Sequence, residues 1–324
     1  MVLPNGAVLI DELLLKSTSG DLRSLARLIS MVEDESPELP EIIAKIYPKL
    51  QGALRLGLTG PPGAGKSSLV NKMVPILRGM GYRIGVIAVD PTSPFTGGAI
   101  LGDRIRMTDH QMDKDVFIRS MGTRGSLGGL AQRSRDVAKL LEYAGYNLIL
   151  YETVGSGQVG SDISKSADAV AVVMVPESGD HIQTMKAGIM EIADIYVVNK
   201  CDRDGANYMV RSIQGVVELG DFQDRWRPPI VCTQANADVG IQELIDRLFE
   251  FIDEQKKKGS FEIRRREQLM MEVGDILQDF LRKQVKVAFE SGAIEDVVMQ
   301  KILKHESDPY TAALQLMEDR TKLA

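Results

Sequence analysis

The 324-residue chain has little cysteine, little histidine, no surplus of positive charge and no long apolar run. Each scarcity excludes a class of protein. Two cysteines, Cys201 and Cys232, are too few for a disulfide scaffold and point to a reducing compartment. The three histidines, His110, His181 and His305, are scattered and form no cluster of the kind that holds a transition metal. No stretch approaches the roughly 20 apolar residues of a membrane span. The first fifteen positions carry acids and no early basic cluster, so no secretory leader is expected and the expected compartment is the cytoplasm. A formal net charge of −6 argues against general affinity for nucleic acid, which needs a basic face. Internal repeats and low-complexity tracts are absent as well.

What is present is an ordinary globular composition, 44% hydrophobic and 26% charged, in a chain long enough to bury a sizeable core. At about 150 residues per domain it holds one large domain or two ordinary ones. Residues 8–52 read as helical, with Leu9, Leu13, Leu14, Leu22, Leu25, Leu28 and Ile29 at three- and four-residue spacing. Ser19-Gly20-Asp21 separates two helices, with Asp21 as N-cap, and the region of Pro37 and Pro40 breaks the second.

From Leu54 the texture changes to short apolar runs: Leu54–Thr59, Ile84–Val89, Val116–Ser120, Leu148–Glu152, Ala169–Val175, Ile195–Asn199 and Ile230–Thr233. Such runs suit strands buried on both faces. Helical stretches lie between them, Ser67–Met80 and Leu127–Ala144 among them. That alternation implies an α/β fold with a mainly parallel sheet and right-handed crossovers. Lys256-Lys257-Lys258-Gly259 reads as a charged linker. Beyond it Leu269, Val273, Leu277 and Leu281 recur every four residues in a further helical region, whose near-balanced charge makes Arg264-Arg265-Arg266 read as a solvated helix face. The expected organisation is therefore a helical extension over 1–52, a nucleotide-binding domain over 53–255 and a helical arm over 256–324.

Gly60-Pro61-Pro62-Gly63-Ala64-Gly65-Lys66-Ser67 fits G-x-x-x-x-G-K-[ST], directly after a strand and opening a helix. Glycines let backbone N–H groups converge on one point as an anion nest, and the helix N-terminus adds partial positive charge. Gly60, Pro62, Gly63, Ala64, Gly65 and Ser68 are thus candidate phosphate-binding residues. Lys66 is expected to reach the β- and γ-phosphates and Ser67 to ligate magnesium. Asp90 and Glu152 end two of the strands, where ligands bind in open α/β sheets. Each is either a magnesium-site carboxylate or an ordinary helix cap or loop acid.

Asn199-Lys200-Cys201-Asp202 is an N-K-x-D element at another strand end. Its Asp carboxylate can accept two hydrogen bonds from guanine, whereas adenine would leave it unpaired, a basis for rejection by roughly 10⁴-fold. Asn199 is expected to brace neighbouring loops and the Lys200 stem to lie over the base. Gly155-Ser156-Gly157-Gln158 offers a loop responsive to a γ-phosphate; Gln158 either orients the attacking water or is a surface amide.

With these residues in view the chain resembles the GTPases that chaperone adenosylcobalamin-dependent acyl-CoA mutases, the MeaB/ArgK type of the SIMIBI class of P-loop proteins. The resemblance rests on Val89-Asp90-Pro91-Thr92-Ser93-Pro94, Gly97-Gly98-Ala99-Ile100-Leu101-Gly102-Asp103-Arg104, Arg119-Ser120-Met121-Gly122-Thr123-Arg124-Gly125, Glu152-Thr153-Val154-Gly155-Ser156-Gly157-Gln158 and Asn199-Lys200-Cys201-Asp202-Arg203-Asp204-Gly205. Thr233-Gln234-Ala235 stands where the family's last base-contacting loop would be. The resemblance implies a magnesium site at Ser67, Asp90, Asp103 and Glu152, and GTP or GDP as ligand. It also implies a switch facing the mutase that includes Asp180, Gln183 and Lys186. GTP hydrolysis would involve Lys66, Glu152 and Gln158, the nucleotide state would gate cobalamin delivery and protect the mutase, and the C-terminal helices would form a homodimerisation arm. No nucleic-acid or membrane partner is implied. Val159-Gly160, Glu177 and Ser126 depart from the family pattern close to its switches. Two alternatives bear on the same site. A nickel-type metal-insertion GTPase would need His or Cys ligands for its cargo, and a P-loop small-molecule kinase would leave N-K-x-D without a purpose.

Overall fold

The structure is a computed structural model and describes residues 5–90, 113–122, 129–153, 163–177, 190–219, 226–290 and 295–318. Seven strands form one sheet: β1 (Leu54–Thr59), β2 (Ile84–Asp90), β3 (Val116–Gly122), β4 (Leu148–Thr153), β5 (Ala169–Met174), β6 (Ile195–Asn199) and β7 (Ile230–Thr233). Their spatial order is β3-β2-β4-β1-β5-β6-β7 and every pairing is parallel. The central runs are strands buried on both faces, β4, β5 and β6 throughout, whereas the edge strands β3 and β7 are only partly covered. In β5, Val170 and Val172 pack into one apolar cluster while Ala171 and Val173 pack into another. The same alternation runs through β4 and β6.

One face is covered by α4 (Lys66–Gly79) and α7 (Ile241–Lys258), which supply Leu69, Met73, Leu244 and Leu248. The other is covered by α5 (Gly129–Tyr143), α6 (Ala206–Leu219) and the N-terminal helices α1 (Asn5–Thr18), α2 (Leu22–Glu33) and α3 (Leu39–Ile46). Asp21 caps α2 as its sequence suggests, its carboxylate accepting from the backbone N–H groups of Arg23 and Ser24 at 3.2 and 3.3 Å. Pro40 sits in the first turn of α3, where a missing N–H does no harm. On β3, Arg119 forms an ion pair with Glu33 of α2 and donates to Ser30 at 3.1 Å. The N-terminal helices therefore belong to the same compact unit as the sheet, Met1–Gln268, while Leu269–Ala324 forms a second.

Two local readings are corrected. Lys256-Lys257-Lys258 is no linker but the last turn of α7, where three cations meet the negative end of the helix dipole. Gly259, at φ 71°, caps that helix by donating to the carbonyls of Gln255 and Lys256, and α8 (Ser260–Glu290) starts at once. Nor do Arg264 and Arg265 lie on a solvated face. Arg265 is bidentate on Asp168 at 2.7 and 2.8 Å and also donates to the Ala53 carbonyl at 2.8 Å; Arg264 holds Asp194 at 3.0 Å. The acids that balance them are in the core domain and not on their own helix, so charge counting along the chain could not reveal the pairing. Burial pushes the Asp194 carboxyl up, with Arg264 opposing.

In the second unit, α9 (Glu295–Leu303) and α10 (Pro309–Glu318) are separated by a turn in which Asp308 caps α10 through Tyr310 N and Thr311 N at 2.9 and 3.1 Å. No helix among the described residues is long and apolar enough to cross a membrane.

Candidate functional site

All the described site residues gather at the C-terminal edge of the sheet, around β1. This strand lies between β4 and β5; the chain leaves β1 into α4 on one face and passes from β4 to β5 by way of Ile163 and Ala167 on the other, which opens a crevice at the strand ends. The loop from Gly60 to Gly65 occupies that crevice. It folds tightly because two positions tolerate no side chain. A Cβ on Gly60 (φ 143°) would lie 2.0 Å from the Val173 carbonyl oxygen, and one on Gly65 (φ 85°) would lie 2.3 Å from Asn199 Nδ2. Gly65 then delivers the chain into α4, whose first turn carries Lys66, Ser67 and Ser68.

Lys66 is buried, and its ammonium donates to the carbonyls of Gly60 and Pro61 at 2.9 and 2.8 Å. The cation is thus held inside the loop it follows, at the positive end of a helix. An anion of several oxygens complements that arrangement better than carbonyl dipoles do. Next to it the Ser67 hydroxyl donates to the buried Glu152 carboxylate. The strand carrying Glu152 is pinned to β1 by a buried hydroxyl pair, Thr153 Oγ1 to Thr59 Oγ1 at 2.9 Å. This pair escaped the sequence reading; Thr153 beside Glu152 in the quoted motif was its only signal.

The second motif is tied directly to the first. Asn199, at the end of β6, donates from Nδ2 to the Ala64 carbonyl at 2.9 Å. Its Oδ1 accepts from Thr233 Oγ1 at 3.1 Å and from Ala235 N at 3.3 Å. One buried side chain therefore links the phosphate loop, the N-K-x-D loop and the Thr233-Gln234-Ala235 loop. Lys200 (φ 58°) turns the chain back across the loop and donates to the Gly63 carbonyl at 3.0 Å. Asp202 follows on an exposed turn, its carboxylate open to a ligand. Gln234 pairs with Val239 in a short antiparallel bridge, which closes its loop. Glu177 forms an ion pair with Arg203 just beyond this motif, and that hydrogen bond holds its carboxyl below the usual carboxylate range.

A hard cation fits the donor set that the described residues bring together. A hydroxyl and a buried carboxylate in contact offer only oxygen, the preference of magnesium. Among the described residues no group of three or more His, Cys, Asp or Glu could hold a metal. Asp90 ends β2 on the same edge, but its side chain lies outside the described residues. So do Asp103, Gln158, Asp180, Gln183 and Lys186, together with Ser126, Val159 and Gly160.

The model of the family described as methylmalonyl Co-A mutase-associated GTPase MeaB matches residues 25–290. A protein of Pyrococcus abyssi is 45% identical over 314 residues, covering 96% of this chain and 97% of its own. GTPase ArgK of Escherichia coli is 33% identical over 287 residues, covering 86% of this chain and 84% of its own. Among solved structures, the protein crystallised as LAO/AO transport system kinase superimposes with a TM-score of 0.69 at 26% identity, covering 98% of this chain and 99% of that one. A parallel sheet with a phosphate loop at its switch point, a base motif bonded to that loop and a family match across most of the length converge on one assignment: the chain belongs to the MeaB family of methylmalonyl-CoA mutase-associated GTPases and hydrolyses GTP.

Proposed function

We propose that this GTPase is a chaperone of an adenosylcobalamin-dependent acyl-CoA mutase, whose cofactor loading it gates and whose integrity it protects according to its nucleotide state. The single observation that carries the nucleotide half of this reading is the Asn199 bridge between Ala64 and the Thr233–Ala235 loop. Through it, occupancy of the base pocket and geometry of the phosphate loop are mechanically coupled. The mutase half rests on the family description.

In this reading the backbone of Gly60, Pro62, Gly63, Ala64, Gly65, Ser67 and Ser68 cradles the phosphates. Lys66 exchanges its two loop carbonyls for β- and γ-phosphate oxygens. Ser67, Asp90, Asp103 and Glu152 hold magnesium directly or through water, and the ion would supply neutralisation of charge on the phosphate oxygens. Asp202 reads guanine through two hydrogen bonds, Lys200 covers the base, and Thr233, Gln234 and Ala235 close its far side. Gln158 orients the attacking water. Asp180, Gln183 and Lys186 belong to the segment facing the mutase, with the cytoplasm as the shared compartment.

Self-association is part of the proposal. The second unit exposes Val273, Leu277, Phe280 and Leu281, each more than half accessible, at a helical spacing that makes one apolar stripe on α8. Monomeric proteins rarely leave such a stripe uncovered, which supports a homodimer built through this arm.

The test is GTP turnover measured alone and with candidate acyl-CoA mutases in apo and cobalamin-loaded forms. The expected result is a complex whose formation depends on the nucleotide and changes the rate. Failure of every cobalamin-dependent acyl-CoA mutase to bind the protein or alter its turnover overturns the mutase assignment and leaves the GTPase intact.

A further inference from the structure

The only two cysteines of the chain are distant in sequence and adjacent in the fold, at the base site. Cys201 is the variable position of N-K-x-D; Cys232 immediately precedes Thr233. Strands β6 and β7 pair Val198 with Cys232 and Asn199 with Thr233. The chain then turns at Lys200 in the left-handed region, and the Cys201 N–H donates to the Thr233 carbonyl at 3.1 Å. That turn brings Cys201 back alongside the end of β7. The side chains share a face. Val231 packs into the cluster under α4 and α7, whereas Ile230 and Cys201 pack against the opposite cluster, so the alternation of β7 puts Cys232 on the Cys201 side. There the Cys201 thiol donates to the Val198 carbonyl at 2.8 Å, and it lies near enough to Cys232 for the two thiols to interact. Cys232 is exposed and Cys201 half-buried.

We propose that Cys201 and Cys232 are a redox modification site: a low-molecular-weight disulfide converts them to an intramolecular disulfide that weakens guanine-nucleotide binding. The first half stands on the geometry of the two strands; the second rests on the reading of Asp202 as the guanine-binding carboxylate. The chemistry balances as two exchanges. The exposed Cys232, as thiolate, attacks one sulfur of the external disulfide. A mixed disulfide forms, the external S–S bond breaks, and one thiol is released after taking up a proton. Cys201 then loses its proton to water and attacks Cys232 Sγ in the mixed disulfide, expelling the second thiol. Two protein thiols are oxidised and one external disulfide is reduced to two thiols. Burial first, and the contact with Cys232 second, push the Cys201 thiol up to about 12, which makes Cys232 the entry point and Cys201 the resolving group.

The consequence for the site follows from distance. Two thiol sulfurs that are not bonded to each other stand well beyond the roughly 2 Å of an S–S bond. Forming that bond draws Cys201 toward β7, while Asn199 and Lys200 on one side stay bonded to the phosphate loop. Asp202, on the other side, moves with Cys201. A carboxylate that must meet two donors of a planar base loses a bond when its loop shifts, which weakens binding on the order of tenfold or more. A disulfide in a reducing compartment is transient, which suits regulation rather than stability.

The experiment equilibrates the full-length protein with oxidised glutathione, alkylates the remaining thiols, and measures intact mass, peptide map and affinity for a fluorescent GDP analogue. The expected result is a species two hydrogens lighter, with a Cys201–Cys232 peptide and on the order of tenfold weaker GDP binding, reversed by a dithiol reductant. Cys232→Ser should bind GDP as the reduced protein does and show no weakening under the same treatment. The proposal is overturned if both thiols stay alkylatable, if the bond links two chains, or if cross-linked protein binds GDP as tightly as reduced protein. A reduced protein that binds no guanine nucleotide sinks the reading of the base site instead, and the mass measurement still decides whether the disulfide forms.

Discussion

The two edges of the sheet use polar side chains in opposite ways. At the N-terminal edge, charged groups are matched to one another. Asp168, before β5, takes both arms of Arg265 together with the Arg55 N–H at 2.9 Å. Asp194, before β6, takes Arg264 and the Val170 N–H at 2.8 Å. Glu142 receives the N–H groups of Gln51 and Gly52 at 2.7 and 2.5 Å. Full ions are neutralised by full ions or by several backbone donors, and no external ligand is needed. At the C-terminal edge charged groups bond to neutral ones. The Lys66 ammonium meets two carbonyl dipoles, Lys200 meets one, and the Glu152 carboxylate meets a serine hydroxyl. A cation held by dipoles can exchange them for an anion, whereas a cation held by a buried carboxylate cannot without exposing that carboxylate. The same scaffold thus carries an edge of matched ions that stabilises and an edge at which the proposed nucleotide site lies.

Substitutions break that contrast in a graded way. The largest effect is expected from Arg265→Ala, which strands the buried Asp168 and should lower unfolding free energy by about 3–5 kcal/mol. Denaturant titration checks it, and the GDP affinity of the remaining folded protein should be unchanged. Lys66→Ala should do the reverse, lowering single-turnover GTP hydrolysis roughly 100- to 1000-fold while its denaturation midpoint stays close to that of the parent. Asp202→Asn should weaken GTP binding on the order of 100-fold with no matching effect on ATP, read by competition against a fluorescent nucleotide. Thr153→Val, which removes only the hydroxyl contact to Thr59, should reduce stability by about 1 kcal/mol. A small accompanying drop in turnover would come through the strand that carries Glu152. If Arg265→Ala abolished nucleotide binding in protein still folded, or if Lys66→Ala unfolded the chain, the division of labour between the edges would be wrong.

Much of this was legible before the fold. The seven apolar runs are the seven strands, with ends displaced by two residues at most, because a strand buried on both faces, as the central ones are, must be apolar throughout and turn residues set the limits. Asp21 was legible as a cap because capping is local. The tight turn from Gly60 to Ser67 was legible because its glycines answer to backbone geometry within eight residues. What escaped lies in pairings across the chain. Arg264 and Arg265 look like solvated charges when weighed against nearby acids, yet their partners are Asp194 and Asp168. Lys256–Lys258 look like a linker by composition, yet the apolar stripe of α7 carries the helix to Gly259. The Thr59–Thr153 bond and the meeting of Cys201 with Cys232 depend on strand order, which no local pattern encodes.

By itself the sequence determined the fold class, the G-x-x-x-x-G-K-[ST] and N-K-x-D elements and the membership of a GTPase family, since each depends on residues close together in the chain or on a pattern that repeats along it. Only the tertiary structure decided that Asn199 joins three loops, that the basic cluster of α8 staples the sheet from below, and that the two cysteines face each other beside Asp202. Those are contacts between residues tens to hundreds of positions apart. They exist because parallel strands, joined by crossovers, set the ends of distant segments side by side about 4.8 Å apart, and that adjacency is a property of the assembled sheet.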